Sequence, residues 1–283
     1  MRLIKMTGGL GNQLFIYAFY IAMKKRYPST YLDLSDMMHY KVHNGYEMNR
    51  VFGLGGDEFC IPQLLKKVME FLFFKVVIER KQDLKTMEGF TKKYINPNVY
   101  FKGFYQSDRF FAGSESEVRK AFSFDMSKAN SKSIEMAKTI DSDPRSTSIH
   151  IRRGDYMLPE HYKSKGSVCQ LPYYLNAINE LKNRVDAPRF YVFSDDMEWV
   201  KENLPLENAA YVDWNKGDDS WQDMMLMSHC HNNIICNSTF SWWGAWLNPN
   251  NEKIVLVPQK WSGTGARSKS YIYPKGWIKV KIE

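Results

Sequence analysis

The sequence predicts an α/β protein built on mostly parallel sheets and divided into two compact halves, and three observations predict it. The chain has 283 residues, beyond the ~100–200 residues common for one domain. Its N-terminus reads as strand, glycine turn and helix. From residue 147 onward short apolar runs alternate with helical stretches, the β–α alternation that gives a parallel sheet with ligands at the carboxyl ends of its strands. A composition of 44% apolar and 25% charged residues is ordinary for a globular protein and argues against a disordered or fibrous class.

Residues 2–6 read as the first strand. Thr7-Gly8-Gly9-Leu10-Gly11-Asn12 follows as a tight turn, opening a helix with Leu10, Leu14, Ala18, Ile21 and Ala22 at helical spacing. Pro28-Ser29 closes that helix, and Tyr31-Leu32-Asp33-Leu34 is the next strand. Between about 40 and 125 the periodicity is poor; 61–80 reads as helix and 98–105 as strand. Within the former, Phe71-Leu72-Phe73-Phe74 lies among Lys66, Lys67, Lys75, Arg80 and Lys81. It is either a core helix with solvated ends or a basic amphipathic surface for an anionic membrane. The polar, proline-bearing stretch 139–146 reads as the linker, dividing the chain into 1–140 and 141–283. Strands are then expected at 148–152, 189–194, 210–213, 233–236 and 254–257. Between them lie a helix from Pro172, with Tyr174, Leu175, Ile178, Leu181 and Val185 on one side, and helices near 196–203, 220–230 and 240–247.

A net charge of +8 favours anionic partners. The basic residues are scattered and match no nucleic-acid motif, so no nucleic-acid partner is expected. Cys60, Cys169, Cys230 and Cys236 form no CxxC pair, which fits reduced thiols in a cytoplasmic setting. His229-Cys230-His231 are neighbours on one predicted helix and point in different directions, so no zinc site is expected. The chain shows neither a signal-peptide core nor the ~20-residue apolar run of a membrane span, and it reads as a complete soluble protein.

In Ser148-Ile149-His150-Ile151-Arg152-Arg153 the isoleucines alternate with polar residues. Ile149 and Ile151 therefore face a core, while His150 and Arg152 share the opposite face. Gly154 lets the backbone turn beneath a ligand. An arginine at a strand's carboxyl end can donate to phosphate oxygens and neutralise a departing diphosphate; alternatively the arginines form a structural pair with Asp155. In Cys236-Asn237-Ser238-Thr239-Phe240-Ser241-Trp242-Trp243-Gly244 an apolar strand ends in a small polar run that opens a helix, a natural anion site. Trp242, Trp243 and Trp246 read as core rather than sugar platform. Asp195 in Phe193-Ser194-Asp195-Asp196 and Asp223 in Trp221-Gln222-Asp223 are carboxylates that could accept guanine N1–H and N2–H together, or merely cap helices. Asp141-Ser142-Asp143 imitates a metal-binding DxD but lies in the linker, so no metal site is expected. Gly9-Leu10-Gly11, with Asp33 twenty-two residues beyond, partly imitates a dinucleotide fingerprint; Leu14 stands where its third glycine would be.

Taken in order, Gly8-Gly9-Leu10-Gly11-Asn12-Gln13-Leu14, His150-Ile151-Arg152-Arg153-Gly154-Asp155-Tyr156, Phe193-Ser194-Asp195-Asp196 and Asn237-Ser238-Thr239-Phe240-Ser241-Trp242-Trp243-Gly244-Ala245-Trp246 resemble glycosyltransferase family 11, the α-1,2-fucosyltransferases. The resemblance implies a GT-B-like fold, two Rossmann-like domains with a cleft between them, the N-terminal half taking the acceptor and the C-terminal half the donor. It further implies inverting transfer of L-fucose from GDP-β-L-fucose to the 2-hydroxyl of a terminal galactose, with no metal or other cofactor. The match looks like a bacterial member acting on glycans assembled in the cytoplasm, with peripheral contact at the inner membrane. Arg152 would contact the β-phosphate, leaving Arg153 to pair with Asp155. His150 would lie beside the nucleotide, Asp223 would read guanine, Ser238, Thr239, Phe240 and Ser241 would line the phosphates, and the Gly9–Gly11 turn with Asn12 would approach from the other half. Glu160, ten residues after His150, is the expected general base, with Asp155 and Asp33 as alternatives. Rival readings are an NAD-dependent sugar-modifying oxidoreductase, from the glycine turn and Asp33, and a carbohydrate-binding protein using its tryptophans.

Overall fold

The computed structural model describes residues 1–38, 43–72, 74–79, 98–264 and 270–283. They divide into two compact units, Met1–Asp125 and Met126–Glu283, each built on a parallel sheet.

In the first unit the strands β1 (Arg2–Lys5), β2 (Thr30–Asp33), β3 (Glu58–Phe59), β4 (Lys75–Ile78) and β5 (Val99–Lys102) lie in the order β3-β2-β1-β5-β4. All pair in parallel. The central helix α1 (Leu10–Arg26) is apolar all round, with Leu14, Phe15, Ile16, Ala18 and Phe19 fully buried, the pattern of a helix packed on every side. It ends at Tyr27, because Pro28 cannot continue the ladder. Only the first part of the helix expected over 61–80 is helical: α2 spans Gln63–Leu72 and the chain then enters β4. The run Lys-Val-Val-Ile explains the change, since consecutive β-branched residues favour the pleated edge of a sheet. Phe71, on α2, is 88% exposed, with exposed Val68 and Lys67 nearby in sequence, so this face of the helix is not core. Arg80 and Lys81 lie outside the described residues.

In the second unit β6 (Ser146–Ile151), β7 (Arg189–Ser194), β8 (Ala209–Val212), β9 (Asn232–Ile234), β10 (Val255–Pro258) and β11 (Ile278–Val280) lie in the order β11-β10-β9-β6-β7-β8, again all parallel. This is the doubly wound Rossmann order. Between strands run α5 (Leu171–Lys182), α6 (Met197–Asn203), α7 (Trp221–His229) and α8 (Thr239–Leu247), which follow α3 (Glu115–Ala121) and α4 (Ser131–Asp141) in the chain. Ile149 and Ile151 pack with Tyr174, Ala177, Ile178 and Leu181 of α5 in one core cluster, as the alternation of β6 requires. The opposite face of β6 is polar yet buried, and within it Asn233 Nδ2 donates to Ser148 Oγ at 2.7 Å.

The boundary between units falls at 125/126 and not at 140/141. Residues 126–140 belong to the second unit because α4 is capped by Asn130 and docks there. The Asn130 side chain accepts from Ser133 N–H at 2.9 Å, while its backbone N–H donates to Gln222 of α7. The stretch read as linker is therefore anchored: Ile140 and Ser146 are fully buried.

Candidate active site

The strand order of the second sheet places its topological switch point between β6 and β9, where the chain leaves in opposite directions; ligands of such sheets bind beyond the carboxyl ends of these strands. Past β6 comes Arg152-Arg153-Gly154-Asp155. Past β9 comes the turn into α8, whose N-cap is Ser238, its Oγ accepting from Phe240 N–H at 3.3 Å. A guanidinium and a helix N-terminus thus flank one crevice edge, both suited to an anion.

Arg152 is half-buried. Its Nε and Nη2 donate to Asp155 Oδ1 at 2.9 and 2.7 Å, and Nε lies 3.1 Å from Asp195 Oδ2. Burial opposes its charge, but Asp195 and Asp155 more than offset this and raise its pKa. The two carboxylates fix the guanidinium plane in advance and partly cancel its charge. Nη1 donates to no described residue, which leaves it for a ligand. Arg153 does not pair with Asp155 as expected. Its Nε lies 3.0 Å from Asp196 Oδ2 and its guanidinium sits 3.8 Å over the Trp199 ring, while its backbone N–H donates to Asp195 Oδ1 at 2.8 Å. A Cβ at Gly154 would lie 2.5 Å from Asp195 Oδ2, so any larger residue there would displace that carboxylate.

His150 is buried, with Nδ1 3.3 Å from Cys236 Sγ and its ring 5.7 Å from that of Phe240. Burial and then the neighbouring Arg152 push its pKa down to about 3, so the imidazole is neutral. In the helix-opening run, Thr239 and Phe240 are half-buried, whereas Ser241 is fully buried and donates to the Ser238 carbonyl at 3.3 Å. Trp242 and Trp243 are core residues: both are fully buried, and Trp242 Nε1 donates to the Ile272 carbonyl at 2.8 Å.

Asp223, in the first turn of α7, has one oxygen anchored and one not. Oδ1 accepts from Asn215 Nδ2 at 2.9 Å; Asn215 Oδ1 in turn accepts from Asn130 Nδ2 at 2.9 Å and Ser133 Oγ at 3.0 Å. Oδ2 accepts from no described residue. Burial pushes this carboxyl up to about 7, with the Asn215 hydrogen bond pulling the other way. Asp141 and Asp143 are occupied structurally: Asp141 lies 2.8 Å from His229 Nδ1, and Asp143 accepts from Arg145 N–H at 2.9 Å. Among the described residues no cluster of three or more His, Cys, Asp or Glu could hold a metal ion.

The first sheet has its own switch point between β1 and β5. Past β1, Gly8 takes φ +85°, and a Cβ there would meet Asn12 at 2.9 Å, so glycine is needed to let α1 start here. Gly9 is the N-cap of α1, and Gly11 is buried in its first turn. Asn12 is half-buried and Oδ1 accepts from Gln106 Nε2, past β5, at 2.8 Å; Asn12 Nδ2 donates to no described residue. Gln13 is consumed internally, donating to the Gly8 and Gly45 carbonyls at 2.8 and 2.7 Å and accepting from Glu47 N–H. Asp33, expected as a candidate base or ribose ligand, is fully buried. Ser35, Tyr100 and Lys66 hold it ionised, lowering its pKa against the effect of burial. Both of its oxygens are engaged within the unit, Oδ1 by Ser35 and Oδ2 by Tyr100 and Lys66, which leaves none for a ribose and removes the basis of the NAD reading. Glu160 lies exposed in a three-residue helical turn, Pro159–His161.

Comparison with known proteins decides the family. The glycosyl transferase family 11 model matches residues 61–281. The chain belongs to that family. Among its relatives are the α-1,2-colitosyltransferase of Escherichia coli, 31% identical with 98% of each chain covered, and the O-antigen biosynthesis glycosyltransferase WbnK of the same species, 29% identical over 97% of this chain and 99% of the relative. Among solved structures it is similar to NodZ α-1,6-fucosyltransferase co-crystallized with GDP, at 13% identity and TM-score 0.52, covering 86% of this chain and 91% of that one. The fold is thus the GT-B-like pair of Rossmann-like units.

Of the residues singled out in this family 11 sequence, Arg152, Asp155, Asp195, His150 and the Ser238–Phe240 turn converge on one switch point. Gly9, Gly11 and Asn12 stand at the other. Sequence reasoning missed Asn215, Gln106 and Cys236. Asn215 and Gln106 lie in segments without periodicity, and only pairing across 8 and 94 residues gives them a role. Cys236 had a readable signal: it is the last residue of an apolar run directly before Asn237-Ser238.

Proposed function

We propose that the chain transfers L-fucose from GDP-β-L-fucose to the 2-hydroxyl of a terminal galactose, with inversion at fucose C1 and without a metal. The C-terminal unit binds the donor and the N-terminal unit the acceptor. The observation that carries this is the Rossmann switch point flanked by a pre-positioned Arg152 and the α8 N-terminus, with half-buried Asp223, in the first turn of α7 in the same unit, offering a free carboxylate oxygen. Two relatives named for α-1,2 transfer and O-antigen synthesis, and a fold neighbour crystallised with GDP, support the same reading.

Galactose O2 attacks fucose C1 from the face opposite the diphosphate. The C1–O bond to the β-phosphate breaks and its electron pair leaves with GDP; the O2 proton passes to a carboxylate. Arg152 Nη1 and the N–H groups opening α8 stabilise the charge that develops on GDP. Asp155 and Asp195 hold Arg152 in place, so Asp155 is a positioning residue. Glu160 is the base this reading retains, because Asp155 is engaged by Arg152 and Asp33 is buried. Asp223 accepts guanine N1–H and N2–H.

One observation favours a second donor: the 31% identical relative is a colitosyltransferase, and colitose is fucose lacking its 3-hydroxyl. A screen of GDP-fucose and GDP-colitose against lactose, lacto-N-biose and N-acetyllactosamine, with and without EDTA, tests both. GDP release from GDP-fucose that survives EDTA is expected. Release from GDP-colitose alone, or loss of turnover with EDTA, refutes the fucose or the metal-free part respectively.

A further inference from the structure

Cys236 is buried at the carboxyl end of β9, where its sulfur joins the two strands of the switch point. It lies 3.3 Å from His150 Nδ1 and 3.7 Å from Ser241 Oγ. A thiol has one proton to give. Ser241 is the more distant acceptor, and its own hydroxyl is turned to the Ser238 carbonyl. Imidazole nitrogen is the stronger acceptor, and sulfur is a weak one. The proton of Cys236 therefore goes to His150 Nδ1.

Neutral imidazole carries one proton, so a thiol donating to Nδ1 forces that proton onto Nε2. His150 is only 6% exposed, and its Nε2 meets no acceptor among the described residues. Solvent reaches Nε2, so a bound ligand can supply the acceptor in place of water. We propose that Cys236 is a positioning residue: its thiol fixes His150 as the Nε2–H tautomer and so presents one neutral N–H to an acceptor oxygen of the bound nucleoside diphosphate. Burial supports this, since it pushes the Cys236 thiol up to about 12 and keeps it protonated. Unlike Arg152, the device adds no charge, so it discriminates by hydrogen bonding alone. The ligand half rests on the donor reading above; the tautomer half does not.

The test begins on the ligand-free wild type with ¹⁵N-histidine and two-bond ¹⁵N–¹H correlation, the His150 signals being those lost in His150→Gln. The expected pattern is a protonated Nε2 and bare Nδ1; a protonated Nδ1 overturns the proposal. Cys236→Ala should yield a tautomer mixture and weaken GDP binding three- to tenfold by calorimetry, whereas Cys236→Ser, which keeps an O–H donor, should restore the tautomer and most of the affinity. Unchanged GDP affinity in Cys236→Ala, or no recovery with serine, overturns it as well. Wild type that binds no GDP while showing the Nε2–H tautomer refutes the donor reading and the ligand half with it, but leaves the Cys236–His150 pair standing.

Discussion

The Asp223 carboxyl gives the sharpest solution prediction, because burial places its titration in the working pH range. Its pKa is about 7, so about one-tenth of it is ionised at pH 6 and about nine-tenths at pH 8. If only the carboxylate accepts guanine N1–H and N2–H, the donor kcat/KM should rise about tenfold from pH 6 to pH 8 and then level. GDP-fucose is the right probe, since its diphosphate diester carries no group titrating in that window, and kcat/KM reports the free enzyme. Asp223→Asn keeps the Asn215 contact but offers no charge. Losing a hydrogen bond to a charged group costs about 1.5–3 kcal/mol, so kcat/KM at pH 8 should fall about 10- to 100-fold and the profile between pH 6 and 8 should flatten. A wild-type profile already flat, or an Asp223→Asn profile that keeps its tenfold rise, refutes the role. Stability has the opposite sign. The folded carboxyl holds its proton up to about pH 7 while the unfolded one loses it near pH 4, so this group's contribution falls as pH rises through that window. Ligand-free Asp223→Asn should accordingly melt higher than wild type at pH 8.

Arg152→Ala should lower GDP release with lactose present by about 10²–10³; near-wild-type turnover would remove it as leaving-group stabiliser. Glu160→Gln should bind GDP-fucose normally and lose turnover, and unchanged turnover moves the base elsewhere. Lys66→Met leaves Asp33 buried without its ion pair at 2.9 Å, so urea unfolding should show a loss of about 3–5 kcal/mol, much of it recovered in Asp33→Asn/Lys66→Met. Gly244→Ala drives a Cβ to 2.8 Å from Met227 Cβ where α7 and α8 pack. The expected cost is about 1–3 kcal/mol, read as a lowered Tm and relieved by Met227→Ala.

The second unit was legible almost strand by strand because buried parallel strands are short apolar runs ending in turn residues, as in Phe190–Phe193. The first unit resisted beyond Asp33. β3 has two residues, too few to show a period, and β4 follows α2 so closely that its Lys-Val-Val-Ile reads as more helix. The domain boundary misled because a proline-bearing polar stretch usually marks a linker, whereas here α4 is tied to the second unit by Asn130 and Gln222, ninety-two residues apart. At the site, residue types were readable and partners were not. Nothing local shows that Arg152 takes Asp155 and Asp195 while Arg153 turns to Asp196 and Trp199, because β7 must first be laid beside β6. The buried roles of Gln13, Asp33 and Ser241 were hidden for the same reason: polar side chains that look available in sequence are satisfied internally once the helices dock.

The central claim is the bond made. Purified protein incubated with GDP-β-L-fucose and lactose should give one trisaccharide whose NMR spectrum shows an α-fucosyl anomeric proton with a through-space contact to galactose H2. A β anomer, a fucose attached elsewhere on galactose, or free fucose as the only product would contradict it.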